Sequence, residues 1–366
     1  MIHKADKTES TPDTDIVAWK VNLLDAGLAS VRYRCIYPAY ALEQVGQPSR
    51  IFERDQTVSA FSGIRALVLV KTFEDRDVRL AEEARRNGVQ LVFDLCDNIF
   101  VSEYGGHRHA LITGNFLEIA SLSSAITTTS EALSDVIRSR IGPGVPIVVI
   151  PDPVETRELL TISFNGSAGN PNQGRVARSS PTGAKTLVWF GNSGSPHGDY
   201  GLRSLRSITP AIAAVGRNVD INLVVVSNDR RMFEELIAPA LPADYVEWNP
   251  LGCLDVIARS DVCLLPNSRD AFSLVKSANR AILSLSLGTP VVATLVPALE
   301  PLRTCVFADD FEAGIRTYLA DPDRRRRDLD RARKILEQRY SLNVIRDAWL
   351  GLLDTSSHRG AGRACE

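Results

Sequence analysis

The chain has 366 residues, 44% hydrophobic and 23% charged, with a formal net charge of −2. This is a globular composition, long enough for two domains. So small a net charge gives no field to gather nucleic acid, no apolar run nears the roughly 20 residues of a membrane span, and residues 1–15 carry no signal-peptide core. A cytoplasmic protein is therefore expected, with frayed tails at 1–15 and 357–366. Six cysteines, at 35, 96, 253, 263, 305 and 365, form no C-x-x-C pair. Reduced thiols are expected, with no metal centre and no bound cofactor.

Ile16–Leu24 reads as a first strand, and residues 29–46 as a helix closed by Gly46. Arg32 and Arg34 stand at the start of that helix, just after a strand. They are either solvated cations or groups reaching an acceptor at the strand ends, where open α/β sheets bind ligands. Arg65–Lys71 is a continuous apolar run suited to a parallel sheet. A helix at Asp77–Asn87 follows, then a buried strand, Val89–Phe93, leading into Asp94-Leu-Cys-Asp97-Asn98. Carboxylates at such a strand end face the ligand crevice or cap the next turn. Glu103–His109 reads as a glycine-bearing loop with His107 and His109. Ala125–Thr129 is a strand, Ser130 an N-cap for the helix Glu131–Ser139, and Pro146–Ile150 a further strand. The polar stretch 165–184 reads as a connection between domains.

The alternation resumes with strand Thr186–Phe190 and the loop Gly191-Asn192-Ser193-Gly194-Ser195. A helix at Gly201–Val215 follows, an order that lets backbone N–H groups approach a phosphate. Strand Ile221–Val226 ends in Ser227-Asn228, and helix Arg231–Ala238, strand Tyr245–Trp248 and helix Leu254–Ser260 come next. Strand Val262–Leu265 stops at Pro266. The loop Asn267–Ser273 then enters a helix over Leu274–Leu287, with Gly288 at C′ and Pro290 beyond. Lys276 and Arg280, four apart, are expected on one face of its first turns. Two cations there oppose the helix dipole, which makes sense if a diphosphate lies between them. The remainder reads as strand Cys305–Ala308 and helices Phe311–Leu319, Asp323–Glu337 and Tyr340–Leu353. The arginines at 324–327 form a solvated face or a contact with a membrane surface.

The segment from Val262 to Thr294 resembles the donor-binding segment of GT-B glycosyltransferases, above all the bacterial family-4-like, group 1 type. Asp270-Ala-Phe272-Ser273-Leu-Val275 stands where that group has E-G-F-G-L-V, and Leu283 where it has a second glutamate. Lys276, Asn279, Arg280 and Gly288–Val292 match a variant pattern, K-S-x-N-R followed by G-x-P-V-V. The likeness extends over roughly residues 16–356. It implies an α/β fold of two Rossmann-like doubly wound domains facing across a cleft: 16–164 for the acceptor, 185–340 for the nucleotide sugar. A last helix, 341–356, crosses back onto the first domain.

The resemblance also implies site roles. Lys276 and Arg280 meet the donor diphosphate beside Gly191, Asn192, Ser193 and Gly194, with Asp270, Phe272, Ser273 and Asn279 around the donor and Ser227, Asn228 and Trp248 near its base. Arg32, Arg34, Asn98 and His109 would face the acceptor, with Asp94, Asp97 and His107 near the reacting atoms. The implied activity is sugar transfer from a nucleotide-diphosphate sugar to a glycan, a lipid-linked or another acceptor, retaining and without a metal. The alternatives are a sugar-nucleotide epimerase on the same fold and a non-catalytic GT-B-like binding partner. Peripheral contact with the inner face of a membrane, and a place in cell-surface polysaccharide biosynthesis, belong to the same expectation.

Overall fold

The computed structural model describes residues 15–54, 61–101, 107–165, 183–194 and 198–355. The expected tails and most of the 165–184 connection therefore lie outside the described residues, as do Ser195 and part of the Glu103–His109 loop. Two sheets organise the chain. In the first half the order is β1 (Ile16–Lys20), α1 (Ala29–Val31), a π-helical turn (Arg32–Ile36), α2 (Tyr37–Glu43), β2 (Ser49–Phe52), β3 (Ile64–Val70), α3 (Asp75–Arg86), β4 (Gln90–Leu95), α4 (His107–Leu122), β5 (Ala125–Thr128), α5 (Glu131–Ile141), β6 (Ile147–Val149) and α6 (Arg157–Asn165). The second half runs β7 (Lys185–Phe190), α7 (Leu202–Gly216), β8 (Ile221–Ser227), α8 (Arg230–Leu236), β9 (Ala243–Glu247), α9 (Pro250–Ala258), β10 (Val262–Leu265), α10 (Asn279–Ser286), β11 (Val291–Ala293), β12 (Phe307–Ala308), α11 (Phe311–Ala320), α12 (Pro322–Tyr340) and α13 (Leu342–Thr355).

Each sheet has six strands, ordered β2-β1-β3-β4-β5-β6 and β12-β11-β10-β7-β8-β9. Every pairing is parallel. Strands covered by helices on both faces have no polar side, which is why β3 shows no alternation: Ala66, Leu67, Val68, Leu69 and Val70 are all buried. The expectation of two doubly wound α/β halves is met. In each sheet the strand order reverses beside the first strand, at β1/β3 and at β10/β7, and ligands of open α/β sheets bind outside the carboxyl ends at such points.

The chain passes between the halves twice. Beyond β6 it runs to α6, which sets Leu159 in the first core and Leu160 in the second. It returns at Ser341, between α12 and α13. The Val154 N–H donates to the Tyr340 carbonyl at 2.7 Å and ties the two passages together. α13 then packs on the first half, with Trp349 edge-on to Trp19 at 4.9 Å between ring centroids. No helix among the described residues is long and apolar enough to cross a membrane.

Several elements differ from their sequence reading, α6 among those it did not contain. The short strand β2 has no counterpart in it. His107 and His109 belong to the first turn of α4 rather than to a loop. The helix expected over 274–287 is broken: Ser273–Val275 is a 3-10 turn, Lys276 is extended at φ −59, ψ 146, and α10 begins at Asn279. Lys276 and Arg280 therefore do not share a helical face. Gly288, at φ +80, does close α10 as expected.

Candidate functional site

The π-helical turn carries Arg32 and Arg34 into the first half rather than out to a ligand. Arg34 is 1% exposed; its Nη2 donates to Asp94 Oδ2 at 2.7 Å and its Nη1 to the Ile150 carbonyl at 2.6 Å. Asp152 takes a further bond from Nη1 at 3.3 Å. Arg32 Nε donates to Glu155 Oε1 at 2.7 Å, and its Nη1 to the Ala26 carbonyl at 2.7 Å. Asp94, with no exposed surface, also accepts from Thr127 Oγ1 at 2.6 Å. The expected acceptor contacts of Arg32 and Arg34, and the expected base at Asp94, are corrected: none of the three presents a free polar atom to the cleft. They are the buried ionic frame of the first half.

Asp97, three residues further on, does face the other half. Its Oδ1 accepts from Lys276 Nζ at 2.7 Å, and its Oδ2 accepts from Lys71 Nζ. Burial opposes the Asp97 charge, but the two ammonium groups outweigh it and hold the carboxyl well below the usual carboxylate range. Lys71 ends β3 in the left-handed region at φ +52, an uncommon conformation for lysine. Sequence reading missed it: the one signal was a cation closing an otherwise apolar run.

The segment 268–278 forms the opposite wall. Asp270 staples it, accepting from the N–H groups of Phe272 and Ser273 at 2.8 and 2.9 Å and from Ser273 Oγ at 2.8 Å. These bonds, with that from Ser268, outweigh desolvation and lower its pKa. Asp270, though exposed, thus shapes the loop. Phe272 lies under Lys276 Nζ, 3.8 Å from ring centroid to nitrogen, and stacks on Tyr200 at 5.0 Å. Beyond Lys276–Asp97, the segment reaches the first half through Asn98 Nδ2 to the Ala271 carbonyl at 2.9 Å and Ser130 Oγ to the Val275 carbonyl at 3.2 Å. Asn98 is thereby a strut between the halves.

Arg280, in the first turn of α10, is placed differently. Its Nη1 donates to the Phe190 carbonyl at 3.3 Å and its Nη2 to Asn267 Oδ1 at 3.0 Å, joining the ends of β7 and β10 at the point of strand reversal. Gly191 favours that placement, because a Cβ would lie 3.2 Å from Arg280 Nη1 and press the guanidinium aside by a few tenths of an ångström. Among the described residues no carboxylate lies within ion-pair distance of Arg280. Burial therefore lowers its pKa with almost nothing to offset it. A half-buried cation without a counter-charge is costly to keep.

The loop after β7 is less open than expected. Ser193 N–H donates to Asn228 Oδ1 and Gly194 N–H to Asn192 Oδ1, each at 2.9 Å. Those two amides are thus satisfied internally, a correction to their expected approach to a phosphate. Ser227 is fully buried and donates to the Gly191 carbonyl at 3.0 Å, so its expected contact with a base is also corrected. Trp248 packs beside the Arg32 guanidinium at 5.9 Å. Asn279 opens α10. On the first half His107 is exposed, while His109 Nε2 lies 3.1 Å from the Ile99 carbonyl. Among the described residues, no group of three or more His, Cys, Asp or Glu is placed to hold a metal ion.

The Lys71–Asp97–Lys276 bridge has a measurable pH signature. A depressed folded pKa adds stability above the unfolded value, near 3.9, and loses it as pH falls. Replacing Asp97 by Asn is expected to cost about 1–2 kcal/mol at pH 7, limited because both lysines are about a third exposed and screened. The gap should narrow below about pH 4. Urea midpoints at pH 7 and pH 3 check both numbers, and a gap that stays constant would remove the ionic origin.

No protein-family model matches the chain, and no curated protein matches its sequence. Its shape does have relatives. A sucrose-phosphate synthase from Thermosynechococcus elongatus is similar at 14% identity and a TM-score of 0.65, over 94% of this chain and 100% of that one. A glycosyltransferase from Rickettsia africae gives 13% and 0.61, over 94% and 98%. A trehalose-6-phosphate synthase, described in a study of glycosyl transfer with retention, gives 11% and 0.60, over 93% and 99%. Likeness at such identities speaks for architecture alone, and two parallel six-stranded sheets with a returning last helix give the chain the GT-B fold.

Proposed function

We propose that the protein is a glycosyltransferase that takes a sugar from a nucleoside-diphosphate sugar held on the second half and passes it to an acceptor on the first. The observation that carries this reading is Arg280, half-buried at the β10/β7 reversal with no carboxylate to balance it. A leaving diphosphate supplies the missing negative charge, and a fixed guanidinium stabilises the charge as it grows. Lys276 joins it once released from Asp97. Similar proteins named as sugar-phosphate synthases and a glycosyltransferase support the same class.

Retention of configuration is the better-supported outcome. An inverting enzyme needs a base in the cleft with a pKa near the working pH. Asp97 is held far below that by two ammonium groups, and Asp94 lies beneath Arg34. The departing phosphate would then accept the acceptor's proton. A second reading, binding without turnover, is favoured by one observation: Lys276 is already engaged with Asp97.

A thermal-shift series with UDP-, GDP-, dTDP- and ADP-sugars tests the proposal. One of them at 100 times its Kd should add about 2.7 kcal/mol of apparent stability, and slow release of free nucleoside diphosphate should follow. Binding without release or transfer would select the second reading. No shift with any member would overturn the proposal.

A further inference from the structure

The first half holds a cavity of its own that the donor site does not use. Its volume is about 520 Å³, and four arginines line it, Arg54, Arg76, Arg79 and Arg108, against two carboxylates, Glu74 and Asp75. Asn22 completes the polar lining, while Phe73, Leu111 and Ile112 supply an apolar side. Among the described residues of the lining, guanidinium groups outnumber carboxylates by four to two. Glu74 is shared between Arg54, at 3.1 Å, and Arg76. Asp75 accepts from Asn115 Nδ2 at 2.9 Å. Among the described residues no carboxylate lies within ion-pair distance of the exposed Arg79. Asn22 Oδ1 is buried without a hydrogen-bond partner.

Topology gives the cavity its meaning. Asn22 follows β1, Arg54 follows β2, and Phe73–Arg79 follow β3, so the lining gathers at the carboxyl ends around the reversal of strand order. Lys71 lies three residues before Glu74, which is at most about 10 Å of extended chain. The cavity therefore lies at the same carboxyl edge of the sheet as Lys71, which ends β3. Guanidinium forks match phosphate geometry, and several of them around one concavity select a phosphate over a neutral sugar.

We infer that this cavity binds the phosphate of a phosphomonoester, and that the acceptor of the transfer carries that group, with Arg79 and Arg108 as its principal contacts. The acceptor role rests on the transferase reading, whereas the anion site does not. Phenyl phosphate is a suitable probe because its ring meets the apolar side; phenyl glucoside is its neutral control. Calorimetric titration of the full chain is expected to show phenyl phosphate binding, weakened at least ten-fold when Arg79→Glu and Arg108→Glu are combined and unchanged in Arg280→Met. Both reversed arginines are exposed, so the fold should tolerate the change; Arg79→Ala alone gives a milder check.

Sedimentation with vesicles of phosphatidic acid or of phosphatidylcholine separates the sources. Binding to the former alone, lost in the double variant, assigns the phosphate to a lipid headgroup; binding of phenyl phosphate without it assigns a small soluble molecule. The inference is overturned if neither phosphate probe binds, if phenyl glucoside binds as tightly, or if binding is lost in Arg280→Met and kept in the double variant. Phosphate binding in a protein that binds no nucleotide sugar would leave the anion site standing and remove the transferase reading.

Discussion

Arg280→Met is expected to abolish nucleotide-sugar binding while leaving the fold as stable as before, or more so. Its guanidinium makes two hydrogen bonds, to the Phe190 carbonyl and to Asn267, and meets no carboxylate among the described residues. Burial of that charge is a cost to folding, visible in its lowered pKa. Methionine fills similar space without the charge, so the unliganded melting temperature should hold or rise. Removing one partner of a buried, hydrogen-bonded charge pair typically costs about 2–5 kcal/mol of binding. The nucleotide-induced shift should therefore disappear from a protein that melts no earlier. Thermal denaturation with and without ligand measures both. A variant that binds as tightly as the native chain would take Arg280 out of the site.

The opposite pattern is expected for Asp94→Ala. This carboxylate is fully buried, and its loss leaves Arg34 with the Ile150 carbonyl and a longer contact to Asp152. Removing one partner of such a pair costs about 3–5 kcal/mol, because the remaining charge stays buried. The urea midpoint should fall accordingly with the slope unchanged. If activity per folded molecule survives, Asp94 is a frame residue and not a base.

The two expectations show what was legible in the sequence. Strand positions such as β3 and β10 were readable because both faces are buried, so the apolar run is continuous. The glycine and proline after α10 marked its end correctly. The roles of Arg32 and Arg34 were not readable from local spacing. Their partners lie 123 residues away at Glu155 and 60 away at Asp94, and only the fold brings them together. α4 escaped notice because just Phe116, Ile119 and Ala120 of its 16 residues are buried and Gly114 interrupts it, leaving little periodic signal. β2 opens on Ser49 and Arg50 and offers only Ile51 and Phe52 as apolar residues, so no apolar run marks it.

The donor segment fared similarly. Its loop and the Gly-x-Pro stop were recognised, but the break at Lys276 was not, since nothing local distinguishes a 3-10 turn stapled by Asp270 from the first turn of a helix. That break is what lets Lys276 reach Asp97 while Arg280 stays with Phe190. A larger cavity, about 610 Å³, lies beside the two chain passages and is lined by Val154, Leu159, Leu336 and Ser341 among others. Its one arginine, Arg333, is paired with Asp330.

The tie between Val154 and Tyr340 has a mechanical consequence. Both covalent passages, joined to each other, lie at one edge of the molecule, so a swing about that edge is the relative motion that would strain the chain least. The contacts of Asp97, Asn98 and Ser130 with the second half would have to part in such a swing.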